Sequence, residues 1–225
     1  MMDRMSNPVA VGHAPEAATQ QESDRSGVRR RPVQQRGLAT MNAILEAAHE
    51  LLAERGLEGF TTNAIAERAH INIATLYGYF SDKLAILHEM SERYEAQRAE
   101  YLSLLPPRFE QADDWRDLVD GTIDQLVLMR REIPGAVELR KAIVSIPELR
   151  HLDRERDERV SEYLTEALLI VRPDGDRDEL FTAARAVIVA GAHVLDVVSE
   201  GEQVDEQLLR GFRQMVLAHL ERVLG

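Results

Sequence analysis

The side chains with the clearest chemical use lie in one stretch, residues 61–83, which reads TTNAIAERAHINIATLYGYFSDK. Hydroxyl and amide groups recur along it, and a lysine stands at its end. Hydroxyls donate hydrogen bonds to phosphate oxygens, a lysine pairs with phosphate as a charge, and asparagine can bond adenine through both amide atoms. Asn63 and Asn72 are therefore candidates for contacts with DNA, provided that their side chains reach a groove.

The rest of the sequence gives little support to catalytic or metal-binding chemistry. It contains no glycine-rich phosphate loop, no G-x-S-x-G and no H-E-x-x-H motif, and it has no cysteine. The seven histidines do not cluster at metal-ligand spacing. We therefore expect a protein that is not an enzyme and that has neither a cofactor nor a metal site.

Two short helices joined by a turn are predicted to carry the polar side chains. Thr61 is a suitable N-cap, because its hydroxyl can accept a hydrogen bond from an amide that the first helical turn leaves unpaired. His70-Ile71-Asn72 is too short for anything but a turn, and Asn72 can cap the helix at residues 73–80. The three parts make a helix-turn-helix, whose second helix is sized for the major groove of DNA.

The same residues resemble the TetR (tetracycline-repressor) family of bacterial regulators. The resemblance rests on I-A-E-R-A, a turn, T-L-Y-G-Y-F-S-D-K, the aliphatic Ile86 and Leu87, and a first helix at about Thr40 to Arg55 that Gly56 ends. It covers roughly residues 38–87. It implies an all-α fold of about nine helices, in which an N-terminal three-helix DNA-binding domain precedes a helical domain for ligand binding and dimerisation.

The resemblance also implies which side chains touch DNA. Thr75, Tyr77 and Tyr79 are expected at base edges or phosphates, and Lys83 at a phosphate. For Tyr77, partial packing in the core is an alternative that the sequence leaves open. The full set of predicted DNA contacts is Arg29, Arg30, Arg31, Arg36, Thr61, Asn63, Asn72, Ile73, Thr75, Tyr77, Tyr79 and Lys83.

Three features depart from the family pattern. His70 stands where glycine is usual, at a position that calls for a positive φ, with a strain of about 1 kcal/mol. Gly78 lies inside the second helix, at a cost of roughly 1 kcal/mol against alanine. Ile73 and Ala74 make its first turn apolar and suited to thymine methyl groups. The recognition helix therefore has no basic residue of its own.

The net charge of −12 is unevenly distributed along the chain. Residues 1–38 carry a net +2, residues 39–101 a net −5 and residues 102–225 a net −9. An acidic DNA-binding module needs positive charge from elsewhere, because phosphates attract lysine and arginine.

We interpret residues 1–36 as a disordered arm whose arginines supply this attraction from the phosphates or the minor groove. A tail that only keeps the protein in solution is the alternative. The remaining boundaries are predicted at 37–84 for the helix-turn-helix domain and 85–225 for the ligand-binding and dimerisation domain. The arginines of the arm are Arg29, Arg30, Arg31 and Arg36.

Helical patterns continue to the end of the chain. A fourth helix is predicted from Ser81 or Asp82, with Ser81 as its cap, and Pro106-Pro107 is predicted to close it. The last two helices, at about residues 178–199 and 205–223, carry more apolar surface than one domain needs. We therefore expect a homodimer through these helices, with Ala190-Gly191-Ala192 allowing close approach. A purely intramolecular core is the alternative.

The family resemblance further implies a ligand pocket in the second domain. Polar side chains in apolar surroundings are the pointers to it, although each has a plainer interpretation: a core histidine for His193, and solvated or paired arginines for Arg140 and Arg185. A mostly aliphatic lining would favour an apolar or amphipathic effector. The predicted pocket residues are Trp115, Arg140, Tyr163, Arg185 and His193.

The sequence thus predicts a ligand-responsive dimeric regulator, a repressor in type, that binds a near-palindromic operator. The alternative is a helical ligand-binding or adaptor protein of the same fold with lost or weak DNA binding. No run of 18 apolar residues and no apolar stretch of signal-peptide type occurs, so we expect a cytoplasmic protein without a membrane partner.

Overall fold

The computed structural model describes residues 27–29, 34–201 and 203–225. These residues form ten α-helices, one 3-10 helix at Pro147–Leu149 and one isolated bridge, so the predicted all-α class is confirmed. The α-helices are α1 (Gln35–Gly59), α2 (Thr62–Arg68), α3 (Ile73–Tyr79), α4 (Lys83–Leu102), α5 (Leu105–Gln111), α6 (Trp115–Glu132), α7 (Ala136–Ser145), α8 (Arg150–Val171), α9 (Arg177–Ser199) and α10 (Glu206–Leu224).

The predicted helix-turn-helix is present as α2, a short turn and α3. Thr61 Oγ1 accepts a hydrogen bond from the Ala64 amide at 3.2 Å, and Asn72 Oδ1 accepts one from the Ala74 amide at 2.8 Å. Both residues are therefore the N-caps that the sequence predicted. His70 has a φ of 53° between the two helices, which confirms the predicted left-handed turn.

The chain before α2 is more ordered than predicted where the structure describes it. Helix α1 begins at Gln35, so Arg36 is helical rather than part of a disordered arm. Gly56 interrupts α1 with a φ of 59°, as expected for the end of the first helix, and one further turn follows it. Arg30 and Arg31 lie outside the described residues.

A second ordered piece lies at Gly27–Arg29. Val28 is buried and forms an antiparallel bridge with Phe80, directly after α3. The Arg29 amide donates to the Tyr79 carbonyl at 2.8 Å, and the Ser81 amide donates to the Gly27 carbonyl at 3.0 Å. Residues 27–29 are therefore bonded to the backbone at the C-terminal end of α3. The sequence did not predict this contact.

Two details of the helical pattern differ from prediction. Asp82, not Ser81, caps α4, because its Oδ1 accepts from the Ala85 amide at 2.9 Å. Pro106 and Pro107 do not close α4 but lie in the first turn of the additional helix α5. A proline is tolerated there because the first amides of a helix have no intrahelical acceptor.

The buried apolar side chains form two clusters. The first cluster contains residues of helices α1, α2, α3 and α4. It also includes residues of α7, among them Leu139 and Ile143. The second lies between α5, α6, α8, α9 and α10. Because α7 contributes to the first cluster, helices α1, α2, α3 and α4 pack directly on an element of the larger helical region.

Helix α9 is long and apolar enough to cross a membrane by length and composition. It packs against α8 on one side and α10 on another. Its Leu195 and Val198 are buried in the second cluster, whereas Val189 and Val197 are 49% and 41% exposed. The helix therefore has a core face and a second face, with exposed valines, that the described part of the chain leaves uncovered.

Candidate nucleic-acid interface and internal cavity

One face of α3 is exposed and the other is core. Leu76 and Phe80 are fully buried, while Asn72, Thr75 and Tyr77 face solvent. The Tyr77 side chain is 40% exposed, and its hydroxyl lies 3.2 Å from Thr62 Oγ1 of α2. The exposed face of α3 thus presents the polar groups that can contact a nucleic acid, and Tyr77 belongs to it rather than to the core.

Tyr79 does not belong to this exposed face. It is 7% exposed and packs in the first apolar cluster with α1 and α4. The contact of Tyr79 with a base edge or a phosphate stays a prediction, and only the small exposed part of the residue could make it. Spacing explains the difference: Tyr79 follows Leu76 by three residues and so shares its buried side of the helix.

Asn72 and Ile73 also have structural roles that limit their part in base recognition. The Asn72 amide oxygen caps α3, so it is not free for the two-bond pairing with adenine that the sequence suggested. Ile73 is half-buried and packs against the first cluster. Asn63 is exposed in the first turn of α2, and Thr61 is exposed although its oxygen caps that helix.

Exposed basic residues lie on the segments next to α3. Lys83 is exposed at the first position of α4. Arg29 is exposed, and its Nη1 lies 3.4 Å from the Tyr77 carbonyl, so the chain segment at Val28 places this guanidinium beside α3. Arg36 is exposed in the first turn of α1. Arg68 differs, because Glu54 binds it through two bonds of 2.6 and 2.5 Å.

Gly78 lies on the exposed side of α3. A Cβ built at this residue meets no atom within 4 Å, so internal packing does not require a glycine here. The residue leaves the exposed surface near the C-terminal end of α3 without a side chain. The α3 surface is therefore polar but uncharged, as the sequence predicted.

A cavity lies within the second apolar cluster, between α4, α5, α6, α8, α9 and α10. The space among its lining residues is about 730 Å³, and this figure includes a part that is open to solvent. Most of its wall is aliphatic or aromatic, including Phe109, Ile123, Leu164 and Phe212. An apolar body of moderate size would fit such a wall.

One end of the cavity is charged. Arg98, Arg130, Arg156 and Asp157 are the charged residues that line it. The three arginines are 5%, 2% and 5% exposed, and they belong to a network of ion pairs that also includes carboxylates away from the cavity wall. Those carboxylates are Glu95, Asp153 and Asp196.

The electrostatics of this network reflect its burial. Burial lowers the pKa of the Arg130 guanidinium, and the positive charge of Arg98 lowers it further. Burial raises the pKa of the Asp153 and Asp157 carboxyls, against the opposing effect of Arg140. The arginines therefore stand close together in an environment that disfavours isolated charge.

None of the five residues predicted to form the pocket lines this cavity. Arg140 is buried but lies behind the wall, bonded to Asp153 and Asp196. Trp115 and Tyr163 are half-buried elsewhere in the second cluster, and Arg116 stacks on Trp115 at 4.6 Å. Arg185 and His193 are exposed on the uncovered face of α9, so His193 is not a core histidine either.

The arginines that the sequence analysis missed share one signal. Each stands in register with the apolar residues of its own helix, as Arg130 does with Ile123 and Val127, and Arg156 with Leu152 and Val160. The useful signal in the sequence is an arginine that itself stands in the apolar stripe of its helix. A polar residue that only lies near such a stripe is not enough.

The cavity lies close in sequence to a contact with helix α1. Three residues after Arg130, the chain turns at Ile133, and Gly135 has a φ of 72° before α7. The Pro134 carbonyl lies 3.2 Å from His49 Nδ1 of α1, and burial lowers the pKa of that imidazole. The loop between α6 and α7 thus connects a cavity wall to α1.

Two family models match the chain. The model described as bacterial regulatory proteins, tetR family, matches residues 44–90. The model described as tetracyclin repressor-like, C-terminal domain, matches residues 113–224. The first range contains α2, the turn and α3, and the second contains most of the cavity wall.

Curated relatives match about a third of the chain. The tetracycline repressor protein class A from transposon 1721 of Escherichia coli is 38% identical over 80 residues, which are 36% of this chain and 35% of that protein. The tetracycline repressor protein class C of Escherichia coli is 34% identical over 79 residues, or 35% of this chain and 34% of that protein. The chain thus spans about a third of the length of these relatives.

Solved structures match over most of the chain. A TetR-family transcriptional regulator from Streptomyces coelicolor has a TM-score of 0.60 at 24% identity, covering 82% of this chain and 99% of that one. A regulator from Mesorhizobium loti described as a putative member of the same family has a TM-score of 0.67 at 17% identity, covering 84% and 98%. At these identities the likeness is one of fold.

Proposed function

The chain belongs to the TetR family of bacterial transcriptional regulators, and we propose that it acts as a ligand-responsive dimeric repressor. Its α3 helices would read a near-palindromic operator, and a small molecule in the cavity would release it. The family is one of regulators rather than enzymes, so the proposal includes no reaction and no cofactor.

The observation that carries the proposal is the exposed polar face of α3. Thr75 and Tyr77 present hydroxyls on a helix sized for the major groove. Arg29 beside Tyr77 and Lys83 at the start of α4 are exposed cations that could hold phosphates. Asn63 and Thr61 extend this surface from α2. We propose these six residues, with Arg36, as the DNA contacts among the described part of the chain.

The dimer is proposed through α9 and α10. Val189 and Val197 of α9 and Met215 of α10 are each at least 41% exposed, and Arg185 and His193 lie on the same uncovered side of α9. A two-fold pairing of these helices would cover the apolar side chains and place two α3 helices on one side of the DNA. Gly191 is not part of this contact, because it packs against Phe212 of its own chain.

Release by an effector is proposed to act through the loop between α6 and α7. A molecule in the cavity would contact Arg130 near the end of α6, and the following loop packs on α1 at His49. A molecule that binds more tightly to one position of this loop would shift the equilibrium between two arrangements of the DNA-binding helices. The size of the shift is set by the difference in its affinity for the two arrangements.

Footprinting of the purified protein on the DNA that flanks its own gene tests the proposal. We expect protection of two half-sites related by two-fold symmetry and separated by about one helical turn or a multiple of it. Uniform or absent protection at low salt would instead favour the second candidate function, a ligand-binding protein of the same fold without operator binding. The acidic character of residues 39–101 is the observation behind that candidate.

A further inference from the structure

The charged end of the cavity is positively charged at its wall. Three arginines line it, Arg98, Arg130 and Arg156, and Asp157 is the single acidic residue in the lining. The other carboxylates of the network lie behind these arginines. At this end of the cavity the lining therefore carries more positive than negative charge. Over the whole network, four arginines and four acids balance once Arg140 is included.

All three arginines keep a buried donor without a hydrogen-bond acceptor. Among the described residues, Arg98 Nε, Arg130 Nη2 and Arg156 Nη1 are buried and have no hydrogen-bond partner, although Arg156 Nη1 lies 2.9 Å from Asp153 Oδ1 as an ion pair. Arg98 donates to Glu95 through its Nη1 alone, and Arg130 reaches Asp196 through its Nε at 3.1 Å. A buried donor that is left unpaired is costly, so these nitrogens are suited to an acceptor that arrives with a ligand.

Arg130 shares the negative charge of Asp196 with a second arginine. The same carboxylate also binds Arg140, whose Nε lies 3.3 Å from its second oxygen. Arg98 adds a second positive charge nearby, and burial together with that charge lowers the pKa of Arg130. A negative charge at this end of the cavity would relieve the repulsion between the two guanidinium groups and supply the missing acceptors.

We infer that the cavity binds a carboxylate with an apolar chain or ring, whose charged group lies against Arg98 and Arg130 and whose body lies among Ile123, Leu164 and Phe212. This deepens the proposed function, since it names the chemical class of its effector. A carboxylate could accept hydrogen bonds from the unpaired Arg98 and Arg130 nitrogens, and the aliphatic wall matches an apolar body. Arg156 contributes charge but is already paired with Asp153 and Asp157.

Titration calorimetry on the full chain, without DNA, tests the inference. The probes are octanoate, decanoate and dodecanoate, each compared with the alcohol of the same chain length. We expect saturable one-site binding of at least one carboxylate, with its matching alcohol about tenfold or more weaker, since a charge-assisted hydrogen bond is lost. Equal affinity for acid and alcohol, or no binding of any of the acids, would overturn the inference.

Variants locate the carboxylate. Arg130→Gln and Arg98→Gln should each weaken binding of the acid about tenfold to a hundredfold and leave binding of the alcohol nearly unchanged. Arg140→Gln is the matched control, because Arg140 belongs to the same network but does not line the cavity, and it should retain the preference for the acid. An equal loss in the control would contradict the assignment, and the comparison of acid with alcohol on the unaltered protein stands if a variant does not fold.

This experiment is independent of operator binding. A protein that binds decanoate but protects no operator keeps the inference and loses the proposed repressor function. A protein that protects its operator but shows no preference for acids keeps the function and loses the inference. The two failures are therefore distinguishable.

Discussion

His70 forms the turn of the helix-turn-helix in a backbone conformation that is strained for a residue with a side chain. It has a φ of 53°, while its amide donates to the Glu67 carbonyl and the next amide to the Ala66 carbonyl, at 3.1 and 3.0 Å. These bonds close the C-terminal end of α2, and they require the left-handed conformation that glycine adopts without strain. The side chain is exposed, so nothing in the packing favours histidine here.

Replacing His70 with glycine should therefore stabilise the protein. We expect the free energy of unfolding in urea to rise by about 0.5–1 kcal/mol, because relief of strain exceeds the added freedom of the unfolded chain. His70→Ala is the control, since alanine also has a Cβ and adopts this conformation less readily than histidine. A stabilisation by alanine equal to that by glycine would show that backbone strain is not the cause.

At the scale of elements, the short segment at Gly27–Arg29 has an unexpected role. It is fastened to the end of α3 by the buried Val28 and by two backbone hydrogen bonds. The position of Arg29 beside Tyr77 follows from this attachment. Charge that is held at the recognition helix contributes to DNA binding with less loss of freedom than charge on a loose chain.

Neutralising Arg29 and Arg36 together should reduce the salt dependence of operator binding. Each phosphate contact contributes about −0.9 to the slope of log affinity against log salt, so the double change to glutamine should make the slope shallower by nearly two. Arg154→Gln, on an exposed position of α8, is the control and should leave it unchanged. An unchanged slope in the double variant would show that these arginines do not contact phosphates.

The contact between α7 and α1 is equally specific in its geometry. Gly135 has a φ of 72°, and a Cβ at this residue would stand 2.9 Å from the His49 carbonyl oxygen and 3.0 Å from the Ala53 nitrogen. Both atoms belong to the backbone of α1, so neither can move aside as a side chain would. The close approach joins the cavity region to the DNA-binding helices.

Gly135→Ala should consequently destabilise the protein by about 1–3 kcal/mol in urea unfolding, through strain at positive φ and a clash with α1. Gly121→Ala is a matched control in α6, where a Cβ meets no atom within 4 Å, and it should be neutral or stabilising. If both variants had the same stability, the close packing of the loop on α1 would be contradicted.

The sequence predicted the elements better than the cavity. Helix periodicity, the caps at Thr61 and Asn72 and the turn at His70 depend on neighbouring residues, so they are readable from the chain. The cavity depends on which helices meet, and Arg98, Arg130 and Arg156 come together from three of them. Polarity alone pointed to Arg185 and His193, which belong to the exposed side of α9. Periodicity could not tell that side from a buried one, because both are apolar.

At the scale of the whole molecule, α9 and α10 have exposed apolar side chains that the described residues do not cover. We expect a second copy of the chain to cover them. Val189 and Met215 are each 49% exposed on helices that otherwise form the second cluster. Apolar surface that recurs along two adjacent helices is typical of an interface. A single chain would also present only one α3 to DNA.

Val189→Glu should convert the protein from a dimer to a monomer, because it introduces a charge into the proposed apolar contact. Sedimentation velocity gives the mass of the variant in solution. The affinity of the monomer for the operator should also be lower, since each chain then holds only one half-site. Val144→Glu is the matched control, with 47% exposure on α7 and no part in the proposed contact. A dimer that survives Val189→Glu, or an unaltered chain that is monomeric, would contradict this interface.

The most direct test of DNA recognition by the exposed face of α3 is the ratio of two dissociation constants. Fluorescence anisotropy at one fixed salt concentration gives the constant for the footprinted operator and that for a scrambled duplex of equal length. We expect the operator to bind at least about a thousandfold more tightly, as specific regulators do, and Thr75→Ala combined with Tyr77→Ala to remove most of this preference. A ratio near one for the unaltered protein, or a preference that the double variant retains in full, would contradict it.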